Sequence, residues 1–205
     1  VGYHDSMTGA LVVFAREPLA GEVKTRLAEH VGDATAAHVY AQLLSRTLRL
    51  VERSHFTARY LFAADATQMQ YFEDRLNLDH WQVCAQSRGD IGQRMDHAID
   101  AVFVEHEFVV LIGSDVADGE VADLDTAWKV LSGRLNSAVV GPSADGGYWL
   151  IGLREPQAIL FQDLAWSTDT VFAETMLRMA NIGLAVQCLT PRHDVDVPDD
   201  LRYLP

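Results

Sequence analysis

Seven short apolar runs alternate with helix-patterned segments, and this alternation constrains the fold more than any other feature of the chain. The runs are Leu11–Phe14, Ala58–Ala63, Gln82–Ala85, Phe108–Gly113, Ser137–Val140, Trp149–Leu153 and Leu184–Leu189. Each is of strand length. Between the first two, Tyr40, Leu43, Leu44, Leu48 and Val51 recur with a period near 3.6, which predicts an amphipathic helix that Asp33 caps after a turn ended by Gly32. Further helices are predicted over Thr67–Leu76, Gly92–Val104, Val121–Leu131 and Thr170–Asn181, the last capped from Ser167-Thr168-Asp169 and stopped by Gly183. Strand–helix alternation implies an α/β fold with a mostly parallel sheet covered on both faces. Ligands in such sheets sit beyond the carboxyl ends of the strands, so the residues that follow each strand are the first place to look for a site.

The chain has 205 residues, 49% of them apolar, which suits one domain over residues 10–205 with residues 1–9 as an extension or expression remnant. A net charge of -13 argues against nucleic acid as a partner. Cys84 and Cys188 are isolated, so they predict neither a zinc site nor a disulfide framework but two buried thiols in a reducing cytoplasm. No apolar run reaches membrane-spanning length, so no membrane insertion is expected.

Against this acidic background, Arg16, Lys24 and Arg26 gather positive charge where the first strand passes through a loop into a helical pattern. Helix-start amides together with Lys and Arg are what a polyphosphate needs. A solvated basic turn would look the same. The cluster is not a Walker P-loop, because Val23 stands where that motif needs Gly before the Lys-Thr pair. At the tip of the fourth strand, Gly113-Ser114-Asp115 offers a carboxylate suited to a hard cation, or simply a cap for the next turn. After the fifth strand, Asp145-Gly146-Gly147 is either a close backbone approach to a ligand or a plain hairpin turn, with Tyr148 and Trp149 pointing to opposite faces. Asp194 and Asp196 share a face if their segment is extended, so one of them could complete a cation site begun by Asp115, while Asp199 and Asp200 open a final helical turn. His193 beside Asp194 is a weak hint of a transition metal and more often a hydrogen-bonded side chain. Gly92, near a helix start at Asp90–Met95, permits a ligand ring or phosphate to pack closely.

These segments, taken in order, resemble the bacterial family known as radical-SAM/selenodomain-associated, or glycosyltransferase-like, transferases. The matching stretches are Phe14 through Leu27, Ile91 through Met95, Gly113 through Asp115, Gly141 through Tyr148, Trp166 through Thr170, and Asp194 through Leu201. The chain departs from that pattern twice: Arg16 replaces a usual Lys, and Val116-Ala117 replaces a usual Cys-Pro, a loss of proline expected to loosen the turn. The resemblance implies a GT-A-like, Rossmann-like three-layer fold of the nucleotide-diphospho-sugar transferase superfamily, whose relatives include guanylyltransferases acting on molybdopterin and phospholactate. By that resemblance Arg16, Lys24 and Arg26 hold nucleotide phosphates, and Gly92 and Arg94 lie near base or ribose. Asp115 with Asp194 or Asp196 binds Mg²⁺ or Mn²⁺, and Asp145, Gly146, Gly147, Tyr148, Trp166, Ser167 and Thr168 border the acceptor. The implied activity is metal-dependent nucleotidyl transfer from a nucleoside triphosphate to a small phosphorylated or carboxylated acceptor, with Arg16, Lys24 and Asp115 as the catalytic set. Glycosyl transfer from a nucleotide-diphospho-sugar is the alternative, and a non-catalytic nucleotide-binding module the second.

Overall fold

β1 (Gly9–Ala15) is buried along its whole length, and the rest of the fold is built outward from it. The computed structural model describes residues 8–133 and 138–204. Most of the expected N-terminal extension, and Ser137 of the expected fifth strand, lie outside the described residues. Gly9, expected to belong to that extension, already pairs with Phe108 of β4.

Chain order is β1, α1 (Thr25–Val31), α2 (Asp33–Arg53), β2 (Ala58–Ala63), α3 (Met69–Glu73), β3 (Gln82–Ala85), α4 (Ile91–Phe103), β4 (Phe108–Ile112), α5 (Val121–Ser132), β5 (Ala138–Pro142), β6 (Tyr148–Leu153), α6 (Val171–Asn181) and β7 (Val186–Cys188). Short 3₁₀ turns occupy Ala66–Gln68, Ala158–Leu160 and Pro198–Tyr203, the last of which is the expected final helical turn. The sheet order is β3-β2-β1-β4-β6-β5-β7, and among the described strands β6 alone runs antiparallel to its neighbours. This is the mostly parallel α/β sheet that the alternation predicts.

Because strand side chains alternate between faces, β1 sends Leu11 and Val13 one way and Val12 and Phe14 the other. Leu11 and Val13 pack with Tyr40, Leu44 and Val51 of α2 and Leu124, Ala127 and Leu131 of α5. Val12 and Phe14 pack with Met95, Ile99 and Val102 of α4 and Met179 of α6. Helices therefore cover both faces, in three layers. A third apolar cluster joins Leu27 of α1 and Val39 and Leu43 of α2 to Ala117 and Val195, with Leu201 and Tyr203 packed against it. It anchors the C-terminal segment beside the loop that follows β4.

Several local expectations change. Gly32, at φ 83°, is itself the N-cap of α2, and Asp33 is the first helical residue. The helix expected over Thr67–Leu76 is a 3₁₀ turn followed by a five-residue α3. α6 begins after Thr170, which makes no side-chain capping bond. The two cysteines are free, but Cys84 is half-buried and Cys188, on the edge strand β7, is exposed. Among the described residues, no helix is long and apolar enough to cross a membrane.

Candidate active site

From β1 the chain connects to β2 and β3 on one side of the sheet, then returns to β4 on the other. The carboxyl ends of β1 and β4 thus flank a topological switch point. A cleft of about 560 Å³ opens there, lined by Arg16, Lys24, Arg26, Arg94, Asp115 and Asp196 among others. A second cleft of about 470 Å³ adjoins it and shares Phe14, Arg26, Ile91, Gly113, Ser167 and Asp196.

Tyr40 of α2 ties the two strand ends together. Its hydroxyl accepts the Arg16 N–H at 2.9 Å and lies 2.8 Å from Ser114 Oγ. Tyr40 reads in sequence only as one member of an apolar stripe. The available signal is that a buried tyrosine hydroxyl needs a partner. The Glu17 N–H donates to Gln68 Oε1 at 2.8 Å, holding the basic loop to the Ala66–Gln68 turn.

Lys24 precedes α1 in the left-handed region, at φ 49° and ψ 47°. Such a conformation strains a residue with a side chain, and that strain collects at functional sites. Its ammonium donates to Asp115 Oδ2 at 2.8 Å and to Asp196 Oδ1 at 2.7 Å, with the lysine side chain 5% exposed and the carboxylates 38% and 45%. Burial alone would lower the Lys24 pKa, but the Asp115 and Asp196 charges outweigh it and hold the pKa above its ordinary value. Burial likewise pushes the Asp115 carboxyl up, and the Lys24 ammonium outweighs this and holds it below the usual range.

Asp194 sits in the opposite regime. Its Oδ2 accepts from Ser143 Oγ at 2.6 Å, while its Oδ1 is buried without a partner among the described residues. Burial, then repulsion from Asp115, pushes its pKa up to about 8. The strand-end segment that carries it is firmly held. Val116 bridges Asp194, Ser143 bridges Arg192, and the Arg192 guanidinium makes two 3.0 Å hydrogen bonds to Asp123 of α5.

The Ala117 N–H donates to the His193 carbonyl at 2.8 Å. The expectation that the loop loosens without proline is therefore overturned, because the amide that proline would lack is used to close it. Ala117→Pro removes this bond from a fully buried position. The expected loss of stability is about 1–3 kcal/mol, the cost of a buried carbonyl left unpaired, checked by urea unfolding. His193 takes a structural part: its ring stacks on Tyr203 at 3.7 Å, and Nδ1 pairs with Asp118 at 2.8 Å.

Of the residues expected to bind metal, Asp115 and Asp196 meet through Lys24, and Asp194 lies within electrostatic reach of Asp115. Among the described residues, no group of three or more His, Cys, Asp or Glu is arranged to hold a metal ion. The donor chemistry nevertheless suits a hard cation: the orphaned Asp194 Oδ1 is an oxygen donor without a partner, and Asp115 and Asp196 already share one positive charge.

Arg94, half-buried, donates to Gln86 Oε1 at 2.9 Å, and Gln86 in turn donates to the Phe62 carbonyl. Burial and then the charge of Arg16 lower the Arg94 pKa. Gly92 does not line either cleft. A Cβ there would lie 2.3 Å from the Phe161 carbonyl oxygen and 2.6 Å from the Trp166 ring, so the close approach it permits is to the protein's own Trp166 and not to a ligand. Gly146 is likewise packed against Asp169, while Asp145, Gly147, Tyr148, Trp166, Ser167 and Thr168 line the second cleft. Ser167 shares the left-handed backbone of Lys24, at φ 63°.

A protein-family model for "Uncharacterized protein conserved in bacteria (DUF2064)" matches residues 47–168. The chain belongs to the DUF2064 family. That match does not bear on the radical-SAM or selenodomain association that the sequence resemblance carries. Among solved structures, a candidate nucleotide-diphospho-sugar transferase from Desulfovibrio desulfuricans G20 is 32% identical, with a TM-score of 0.87 over 95% of this chain and 85% of that one. CMP:2-keto-3-deoxy-manno-octonic acid synthetase, solved with CTP, is 11% identical, with a TM-score of 0.60 over 95% of each chain. A Mycobacterium tuberculosis H37Rv protein solved with manganese is 20% identical, with a TM-score of 0.55 over 97% of this chain and 98% of that one. At such low identity the last two share the fold alone. No curated protein matches the chain. DUF2064 thus has the fold of nucleotide-utilising transferases, in line with the transferase expected from the sequence.

Proposed function

We propose that this DUF2064 protein transfers a nucleotidyl group from a nucleoside triphosphate to a small phosphorylated or carboxylated acceptor in the cytoplasm. The observation that carries this reading is the concentration of Arg16, Lys24, Arg26 and Arg94 in one cleft at the switch point of a protein with net charge -13. Arg16 and Arg26 make no side-chain hydrogen bond or ion pair among the described residues, so their charges are available to a phosphate chain.

In this reading Lys24 and Arg26 neutralise the departing pyrophosphate, and Arg16 offsets charge that develops at the transferred phosphorus. The acceptor's own oxygen displaces pyrophosphate, so the protein supplies no nucleophile. Tyr40 and Ser114 fix the strand ends from which Arg16 and Asp115 project. Asp115, Asp194 and Asp196 are the carboxylates that would hold Mg²⁺ or Mn²⁺, which would supply positive charge to offset that of the phosphates. The manganese complex of a protein with this fold supports that choice of cation.

Glycosyl transfer from a nucleotide-diphospho-sugar is the second reading, favoured by the description of the 32% identical D. desulfuricans protein. It needs a general base for an acceptor hydroxyl. Asp145, exposed at the rim of the second cleft, suits that role better than Asp194, whose Oδ2 is held by Ser143 and whose Oδ1 is buried.

The test is a thermal-shift panel of nucleoside triphosphates and nucleotide sugars, each with Mg²⁺ and with a chelator. A ligand that binds the native state raises Tm by mass action. The expected result is Mg²⁺-dependent stabilisation by one triphosphate. Stabilisation by a nucleotide sugar alone would select glycosyl transfer, and no shift with any of them would overturn the donor site.

A further inference from the structure

The two adjoining clefts differ in chemistry. The first carries the cations. The second has a floor of Phe14, Met95, Leu111 and Val171, all buried, walled by Tyr148 and Trp166. Those two rings meet edge to face, with centroids 6.4 Å apart and planes at 77°. Of its charged residues, Arg26, Asp145 and Asp169 are exposed at the rim and Asp196 is half-buried. An apolar floor with a few polar groups placed around it is the usual form of a small-molecule site.

A polyhydroxylated acceptor fits this floor poorly. Each hydroxyl laid against Met95, Leu111 or Val171 would lose its water without gaining a partner. A flat ring fits, since it buries its faces on apolar and aromatic side chains and gives up little hydration. The Tyr148 hydroxyl is buried away from the cleft surface, so Tyr148 presents its ring rather than its hydroxyl to a ligand. Among the described residues, Arg26 is the one basic residue lining the second cleft, and it also lines the first. It stands where an anionic acceptor group would have to be held to face a nucleotide in the cationic cleft.

We infer that the acceptor is a ring compound, aromatic or flat alicyclic, with a phosphate or carboxylate at one end. The ring lies on the Phe14–Met95–Leu111 floor against Trp166, and the anionic end meets Arg26 at the junction of the clefts. This rests on the donor reading above and narrows its acceptor.

Phenyl phosphate and glycerol 3-phosphate are the probes, since both carry a phosphate and only one carries a ring. By calorimetry the wild-type protein should bind phenyl phosphate at least tenfold more tightly, a difference of about 1.4 kcal/mol. Trp166→Ala should erase that preference. Tyr148→Phe, which keeps the ring, should retain it. Equal binding of the two probes, tighter binding of glycerol 3-phosphate, or no binding of either overturns the inference. So does a preference that survives Trp166→Ala in protein with native circular dichroism. If that variant does not fold, Trp166→Leu is read in its place, and an undiminished preference there overturns the inference. Nucleoside triphosphate binding is measured on the same samples. Triphosphate binding without ring preference sinks this inference alone, whereas ring preference without triphosphate binding sinks the donor reading.

Discussion

Replacing Lys24 by Met is expected to weaken binding of the preferred nucleoside triphosphate by about a hundredfold, or about 2.7 kcal/mol, while leaving the protein folded. The size follows from removing a charge-assisted contact to phosphate, worth about 1.5–3 kcal/mol. The fold should tolerate the change. Asp115 and Asp196 are 38% and 45% exposed, so water can take over the solvation that the ammonium supplied, and the stem of Met fills much of the volume of the Lys stem. A second change should run the other way. With the ammonium gone, the Asp115–Asp196 pair has no cation between it, and Mn²⁺ alone should bind more tightly than to the wild-type protein. Calorimetry with triphosphate, and separately with Mn²⁺, checks both signs. Unchanged triphosphate affinity would mean that the cationic cleft does not hold the phosphates. Unchanged Mn²⁺ affinity would mean that Lys24 does not compete for the carboxylates.

That competition marks where the sequence stops being informative. The carboxylates at positions 115, 194 and 196 could be picked out by their places after strands. Nothing in the sequence says that a lysine from the loop after β1 reaches 91 residues along the chain to one of them and 172 to another. Periodicity reports which face of an element is apolar, so β2 and β3 were legible to the residue, β4 to within one, and the buried stripe of α2 along its length, while β1 runs two residues earlier and one later than its apolar core. Pairing across the sheet depends on tertiary packing, so the hairpin reading of Asp145-Gly146-Gly147 implies that β6 is antiparallel to β5 but not that β6 lies between β5 and β4, and the Tyr40 link between strand ends was not legible. Ala117 is the clearest case. Its departure from the family pattern reads as a weakness, yet the amide it exposes makes the bond to His193 that closes the loop. Gly92 reads as room for a ligand and is room for Trp166, a neighbour 74 residues away that no local pattern identifies.

The double glycine after Asp145 separates the two meanings that its sequence left open, and substitution should expose the difference. Gly146 sits at φ 91°, and a Cβ there would lie 2.1 Å from the Asp169 carbonyl oxygen, which is backbone and cannot turn aside as a side chain would. The Gly146 carbonyl also accepts the Phe172 N–H of α6 at 2.9 Å, so the turn and the start of that helix must move together. Backbone strain at such a φ costs about 1–3 kcal/mol before the clash is counted. Gly146→Ala should therefore lose about 3 kcal/mol or more in urea unfolding, near the upper end for single substitutions. It should also displace Asp169 and Val171, both of which line the second cleft. Gly147→Ala is the matched control. Its φ is not positive, and the nearest atom to a Cβ would be Asp145 Oδ1 at 3.3 Å, on an exposed side chain that accepts the Gly147 N–H. It should cost less than about 1 kcal/mol, as substitutions without a clash or strain do. Because Gly147 lines the second cleft, Gly147→Ala should instead lower affinity for the acceptor. Equal destabilisation by the two alanines would refute the assignment of the first glycine to backbone packing and the second to the cleft wall. Loss of stability in Gly146→Ala with acceptor affinity intact would show that the turn and the cleft are mechanically separate.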